Sequence, residues 1–357
     1  MYRHALVIGK FYPPHAGHHH LVRSASEVAE RVTVVVMASA AESIPLADRV
    51  SWMRDTHAGA ETVTITGVLC DAPMDLDSQP VWAAQVACMR AAVRRVTAVP
   101  VDAVVSSEKY GDELAQWFSA THVSVDPGRV NHPVSGTDCR ADLPARWDDL
   151  DAPARAGLTT RIVVVGAEST GTTTVSRALA ERFRGRGGVW ARTGWVPEYG
   201  RQATVDKLDH LRRERSDASM DDLVWTGDDF AHIAAEQTRL EEAAARAGSP
   251  VLICDTDAFA TTVWERRYLG ESAGHAVAPE RGALYLLTDH DGVPFVQDGI
   301  RDGEHIRADM TRWFEDALTA TGRSWVLLTG TVDERVQLAE RVVDQALRIN
   351  ATFADPL

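Results

Sequence analysis

Two histidines separated by a small residue and a glycine, His15-Ala16-Gly17-His18, are the residues of this chain best suited to hold an anion. An apolar run at 5–8 precedes them and reads as a short buried strand. Leu21, Val22, Ala25, Val28 and Ala29 follow at the spacing of an apolar helix face. The pair therefore sits where a strand turns into a helix, with free backbone N–H groups and the positive end of the helix dipole facing an incoming ligand. Gly17 lets the backbone come close, and two imidazoles can donate to phosphate oxygens without a metal. The tract His18-His19-His20 also has blander readings, a surface metal site or solvated chance histidines. Consecutive helical residues point about 100° apart, so the three rings cannot share one ion.

A second element lies downstream at Val134-Ser135-Gly136-Thr137-Asp138-Cys139-Arg140. Read alone, it is an ordinary turn and helix cap. Together with His-x-Gly-His on a strand–loop–helix unit, it resembles the nucleotidyltransferase superfamily, which moves a nucleotide group from ATP onto a phosphate. The match is to the family's Ile-Ser-Gly-Thr-x-x-Arg motif. It implies that Ser135, Gly136 and Thr137 hold the ATP phosphates and that Arg140 adds a charge-assisted fork.

A further phosphate motif opens after an apolar run at 161–165, as Gly166-Ala167-Glu168-Ser169-Thr170-Gly171-Thr172-Thr173-Thr174. The spacing is that of a P-loop, Gly-x4-Gly-Lys-[Ser/Thr], whose backbone N–H groups form an anion nest ahead of a helix starting near Thr173. The hydroxyl of Thr173 is placed to ligate Mg²⁺. The lysine position, however, is Thr172, and a threonine cannot supply the missing charge. Apolar residues 251–254 deliver Asp255 to the C-terminal edge of a parallel sheet, for Mg²⁺ or for activating a substrate hydroxyl. Asp257 suits a sugar hydroxyl or the cap of a helix at 258–268. Glu198 and Arg201 suit an acceptor, and Arg301 and Arg307 a phosphate-covering lid. Each of these four reads equally as half of a surface ion pair.

These residues need a scaffold, and the pattern supplies one. Strands are expected at 32–37, 63–68, 101–106 and 122–125, and helices at 79–96 and 109–119. Such alternation argues for a parallel, doubly wound sheet. The stretch 141–160, with Pro144, Pro153 and Gly157, reads as the region of the linker. A fresh α/β pattern follows, with strands at 251–254, 283–287 and 325–328 and a closing helix at 332–348. The expected fold class is α/β throughout: a Rossmann-like nucleotidyltransferase domain at 1–145, a linker at 146–159 and a P-loop kinase-like domain at 160–350. A length of 357 residues with 45% apolar residues supports two cores. A net charge of −14 disfavours nonspecific nucleic-acid binding. No run approaches the ~20 apolar residues of a membrane span, and no signal peptide is read. The four cysteines lie far apart, so reduced thiols in a cytoplasmic protein are expected.

Taken together, the motifs resemble the NadR-type bifunctional enzymes of NAD biosynthesis over nearly all of the chain. The carriers are 9–18, Asp-Arg-Val-Ser-Trp-Met at 48–53, Ser-Glu-Lys-Tyr-Gly-Asp at 107–112, Asp-Pro-Gly-Arg at 126–129 and 135–140. In the second half they are 166–171, Glu-Tyr-Gly-Arg at 198–201 and Asp-Thr-Asp at 255–257. The resemblance implies a nicotinamide-mononucleotide (NMN) adenylyltransferase followed by a ribosylnicotinamide kinase. ATP serves as substrate of both, with Mg²⁺ on its phosphates. His15 and His18 would hold the ATP phosphates during adenylyl transfer while Lys10 and Arg140 offset the developing charge, Gly9, Phe11 and Gly17 would line the ATP site, and Trp52 or Trp82 would stack on nicotinamide. Tryptophans are as often core residues. Two departures are visible. No DNA-binding helix-turn-helix precedes the first strand, so operator binding is not expected. Thr172 replaces the lysine, which keeps a nucleotide-sensing domain without turnover as the alternative for the second half. Oligomeric state, including a homo-oligomer, is left open.

Overall fold

The structure, a computed structural model, describes residues 1–270 and 283–356. The chain divides into a first unit, Met1–Gly157 with the tail from Ala351, and a second unit, Leu158–Asn350. Each is built on a five-stranded sheet in which every pairing is parallel.

In the first unit the strands are β1 (Ala5–Gly9), β2 (Val32–Ala38), β3 (Val63–Leu69), β4 (Ala103–Ser106) and β5 (Thr121–Ser124). Their order across the sheet is β3-β2-β1-β4-β5. The chain thus steps outward from β1 on one side and then crosses to the other, which leaves a crevice at the C-terminal ends of β1 and β4. The β-branched runs of β1 and β2 are buried on both faces: Ala5 and Val7 pack with Val32, Val34 and Val36, while Leu6 packs with Val35 and Val104 on the opposite side. Continuous burial of this kind is what a parallel sheet covered by helices requires. The helix Ala16–Val28 covers one face through Leu21, Val22 and Ala25, and Gln79–Arg94 covers the other through Trp82, Val86 and Met89.

The second unit contains β6 (Thr160–Gly166), β7 (Gly194–Val196), β8 (Val251–Asp255), β9 (Leu284–Thr288) and β10 (Ser324–Leu328). Their order is β10-β9-β6-β8-β7, so β6 is central and its C-terminal end faces the switch between β8 and β9. Helices Thr172–Arg184 and Val332–Asn350 pack Val175, Leu179, Val336 and Val343 onto β6 residues Ile162 and Val164.

The segment 146–159 is not a free linker. Trp147 is fully buried, and Leu150, Ala154 and Ala156 are nearly so. Pro153 falls in the first turn of the helix Ala152–Leu158, where a missing N–H costs nothing, so it starts structure rather than breaking it. No helix among the described residues is long and apolar enough to cross a membrane.

Candidate functional site

In the first unit, His15 occupies the N-cap of Ala16–Val28 with extended backbone, and the amides of His18 and His19 turn back to its carbonyl. The His15 and His18 rings stack at 3.7 Å, with Phe11 4.8 Å behind His18. Both Nδ1 atoms are buried and have no hydrogen-bond partner among the described residues. Burial, with His19 and Arg129 adding repulsion, holds His15 down at about 3. Burial and the adjacent His15 hold His18 well below its ordinary value. Both imidazoles are therefore neutral near pH 7, each with one donor and one acceptor. The three consecutive histidines diverge. His19 bridges His57 at 3.0 Å and Asp151 at 2.8 Å, and His20 faces His132 at 5.0 Å.

The second motif folds onto the first. A Cβ at Gly136 would stand 3.0 Å from the Tyr12 carbonyl, so a side chain there would push the two segments apart by a few tenths of an ångström. Arg140 donates to that same carbonyl at 2.6 Å and to Thr137 Oγ1 at 3.2 Å. Its guanidinium lies 4.8 Å from the Tyr12 ring, and that of Arg49 4.2 Å. Lys10 pairs with Glu42 at 2.9 Å, and Glu42 also meets the buried Arg49 at 2.7 Å. One carboxylate shared by two cations leaves a net positive charge beside β1. A cavity of about 100 Å³ opens at Gly9 and Lys10, walled by Met37, Met74, Trp82 and Met89.

Three of the expected site residues have other neighbours here. The Ser135 amide and hydroxyl both bond Asp138 in a capping box that holds the helix start. Phe11 is wholly buried and supports His18 from behind instead of touching a ligand. Trp52 packs so closely on Gly157 that a Cβ there would lie 2.3 Å from its ring, which removes it from the cavity that Trp82 lines.

In the second unit, the loop from Gly166 to Gly171 wraps the start of Thr172–Arg184, with Ser169 and Gly171 in left-handed conformation. A cavity of about 460 Å³ lies over it, lined by Gly166, Glu168, Ser169 and the three threonines 172–174 on one side. Glu198, Arg201, Asp255 and Arg301 line it as well, with Trp195, Trp225, Trp264 and Tyr268 as aromatic wall. Asp255 ends β8 and accepts from Thr173 Oγ1 at 2.6 Å, with the Thr172 hydroxyl close by. Burial raises its carboxyl, and the two hydroxyls oppose that rise. Burial and the nearby Asp255 push Glu198 up to about 7, with Arg201 pulling the other way. A carboxylate and a hydroxyl side by side fit a hard divalent cation that takes its remaining ligands from water and phosphate.

The loop is held by its own carbonyls. Arg335 donates to the Thr170 carbonyl at 2.9 Å, and Arg307 to the Ser169 carbonyl at 3.2 Å. Glu168 accepts from Arg267 at 3.0 Å and from the Gly303 amide at 2.7 Å. Arg307 is thus a buried clamp bonding Val293 and Ser169, not a lid. Thr170 turns inward to Thr288 at 2.7 Å and the Ala167 carbonyl, away from the cavity. Asp257 caps Ala258–Leu269 through the Ala260 amide and accepts from Tyr285, so it is not a sugar ligand. Arg201 and Arg301 both line the cavity, and both pair with Asp298, at 2.7 and 3.5 Å. Sequence reasoning missed Arg177 and Trp195, whose guanidinium and ring stack at 4.4 Å on the same cavity. The position of Arg177, one helical turn after Thr173, was the available signal.

Residues 161–335 match the family described as "AAA domain". The trifunctional NAD biosynthesis/regulator protein NadR of Salmonella typhimurium is 21% identical over 315 residues, covering 83% of this chain and 71% of that protein. A crystal structure of NadR protein in complex with NR superposes with a TM-score of 0.64 at 19% identity, covering 98% of this chain and 97% of the other. A second, of NadR protein in complex with NAD and AMP-PNP, gives 0.62 at the same identity and coverage.

Proposed function

We infer that this chain, a homologue of NadR across both units, works in NAD biosynthesis and salvage, and that its first unit transfers AMP from ATP to NMN. The observation that carries this reading is the stacked pair His15 and His18, whose buried Nδ1 atoms lack partners at the start of a helix. An unsatisfied buried polar atom costs about 1–3 kcal/mol, and a polyphosphate at that place would satisfy both. In the proposed reaction an NMN phosphate oxygen attacks the α-phosphorus of ATP, and the bond to the bridging oxygen breaks to release pyrophosphate. The neutral imidazoles and the Ala16–Val28 helix start orient the phosphates. Arg140 and the net charge of the Lys10–Glu42–Arg49 cluster offset charge on the departing oxygens. The apolar cavity beside Trp82 suits the nicotinamide ring.

For the second unit the reading is phosphorylation of ribosylnicotinamide by ATP, which would supply NMN to the first. Thr173 and Asp255 would hold Mg²⁺, which offsets phosphate charge when bound. Glu198, with its proton affinity raised to about 7, is placed to accept the proton of the ribose 5′-hydroxyl. A nucleotide-sensing domain without turnover is the second reading, favoured by Thr172, which brings no charge to the lysine position of the loop. Two assays on the purified chain with ATP and Mg²⁺ test these readings. NMN should yield NAD and pyrophosphate, and no NAD from NMN would overturn the first. Ribosylnicotinamide with γ-labelled ATP should yield labelled NMN. Nucleotide binding without labelled product would select the sensor.

A further inference from the structure

We propose that Arg177 carries the positive charge that Thr172 withholds, so that the second unit has moved its phosphate-binding cation from the start of the helix that follows the loop to a position five residues along it. This inference rests on the reading of that loop as a phosphate site. Among the described residues three arginines line the cavity over it: Arg177, Arg201 and Arg301. Arg201 is neutralised by Asp298 at 2.7 Å, and Arg301 is shared between Asp298 at 3.5 Å and the Val296 carbonyl at 2.7 Å. Among the described residues Arg177 forms no ion pair, and the carboxylate its charge acts on is Asp255 in the same cavity. Its guanidinium carbon lies over the Trp195 ring, 4.4 Å from the centroid, and the indole is itself fixed by donating to Ser176 Oγ at 2.9 Å.

The direction of the helix gives this placement its meaning. Helical side chains lean toward the N-terminus, so Arg177 reaches back over the turn that holds Thr173 and Thr174, both of which line the same cavity. The nest of amides at Gly166–Gly171 opens toward that turn. A guanidinium stacked on an indole keeps its charge and its planar donors while losing little freedom, which suits two oxygens of one phosphate. The lysine of the standard motif reaches the β/γ phosphates from below, whereas Arg177 would meet the terminal phosphate from the acceptor side, where Trp195 and Glu198 also stand. It would therefore discriminate a nucleoside triphosphate from a diphosphate more than it would affect binding of the nucleoside.

The test uses the full chain and a readout local to the loop, because the first unit also binds ATP on the reading above. Hydrogen-exchange protection of peptides covering 166–177 is titrated with AMP-PNP and with ADP, each with Mg²⁺. For Arg177→Ala the AMP-PNP midpoint should rise at least about tenfold and the ADP midpoint by much less, the size expected for one charge-assisted contact. Arg177→Lys should recover part of the loss, and Thr172→Lys in the Arg177→Ala background should recover most of it. Labelled phosphate transfer to ribosylnicotinamide should fall about a hundredfold in kcat for Arg177→Ala, with the KM for ribosylnicotinamide little changed. An unchanged AMP-PNP midpoint in a protein that protects its loop normally would overturn the role of Arg177 and leave the phosphate site standing. Absence of protection by either nucleotide in the unmodified chain would remove the phosphate site, and this inference with it.

Discussion

Two packed imidazoles whose buried Nδ1 atoms have no hydrogen-bond partner among the described residues are a destabilising arrangement until an anion arrives, and that makes the pair informative at the scale of single residues. Replacing His18 by Ala should therefore lower kcat for NAD formation by about 10²–10³ while leaving the melting temperature equal or higher. Near-normal turnover in that variant would end the phosphate role. The same burial fixes a pH dependence. His15, held at about 3, stays neutral in the folded chain while the unfolded chain takes up a proton below about 6.5. The unfolded state then binds more protons, so stability falls as pH drops from about 6.5 toward 3, and His18 adds to the same slope. Melting curves from pH 7.5 to 5 should show the loss, and a double His15→Asn, His18→Asn variant should flatten it. A slope unchanged in the double variant would assign it to other groups. These two histidines were legible in the sequence because spacing alone places both at one helix start. Ser135, Asp257 and Thr170 were not, since a cap, a turn and a phosphate ligand use the same hydroxyls and carboxylates. Only the partner decides which role a given residue fills.

At the scale of elements, the loop Gly166–Gly171 can aim its amides at a ligand because its carbonyls are occupied from behind. Arg335 takes the carbonyls of Thr170 and Gly330, both at 2.9 Å, and Arg307 takes that of Ser169. Arg335→Ala leaves these buried acceptors unpaired and is expected to cost about 2–4 kcal/mol, with a several-fold weaker nucleotide midpoint at the loop. Urea unfolding and the loop titration measure the two effects, and a variant as stable as the parent would show that water replaces the guanidinium. The strands around both sites were readable because parallel strands buried on two faces are nearly continuous apolar runs. Helices Tyr199–Glu214 and Leu46–Thr56 were not read. The first buries only Leu208, and the second buries Arg49 with Met53, so neither carries an apolar stripe. The buried Arg49 is nevertheless what ties Glu42 and Tyr12 to the first site.

At the scale of the whole chain, each unit sets its candidate site at the C-terminal ends of a parallel sheet, and the sequence does not end where the second sheet's last helix does. Residues from Ala351 belong to the first unit, a placement that no local pattern signals because it depends on a contact more than 300 residues away in sequence. The Tyr12 hydroxyl donates to the Ala354 carbonyl at 3.0 Å, and the Ala354 amide donates to Ser43 Oγ at 2.7 Å. Phe353 meets the Tyr12 ring edge-on at 5.9 Å. Tyr12 is the residue against which Arg140 and Arg49 stack and whose carbonyl Arg140 bonds, so the tail braces the platform that aims Arg140. Ending the chain after Asn350 should therefore raise the KM for ATP in NAD formation and lower kcat several-fold. Phe353→Ala alone should cost about 0.5–1.5 kcal/mol, the worth of one aromatic pair, with a smaller kinetic effect in the same direction. The loss should be confined to NAD formation, since the loop at 166–171 and Asp255 make none of these contacts. If the shortened chain makes NAD at the parent rate and with the parent KM, Tyr12 holds its place through Arg49 and Arg140 alone.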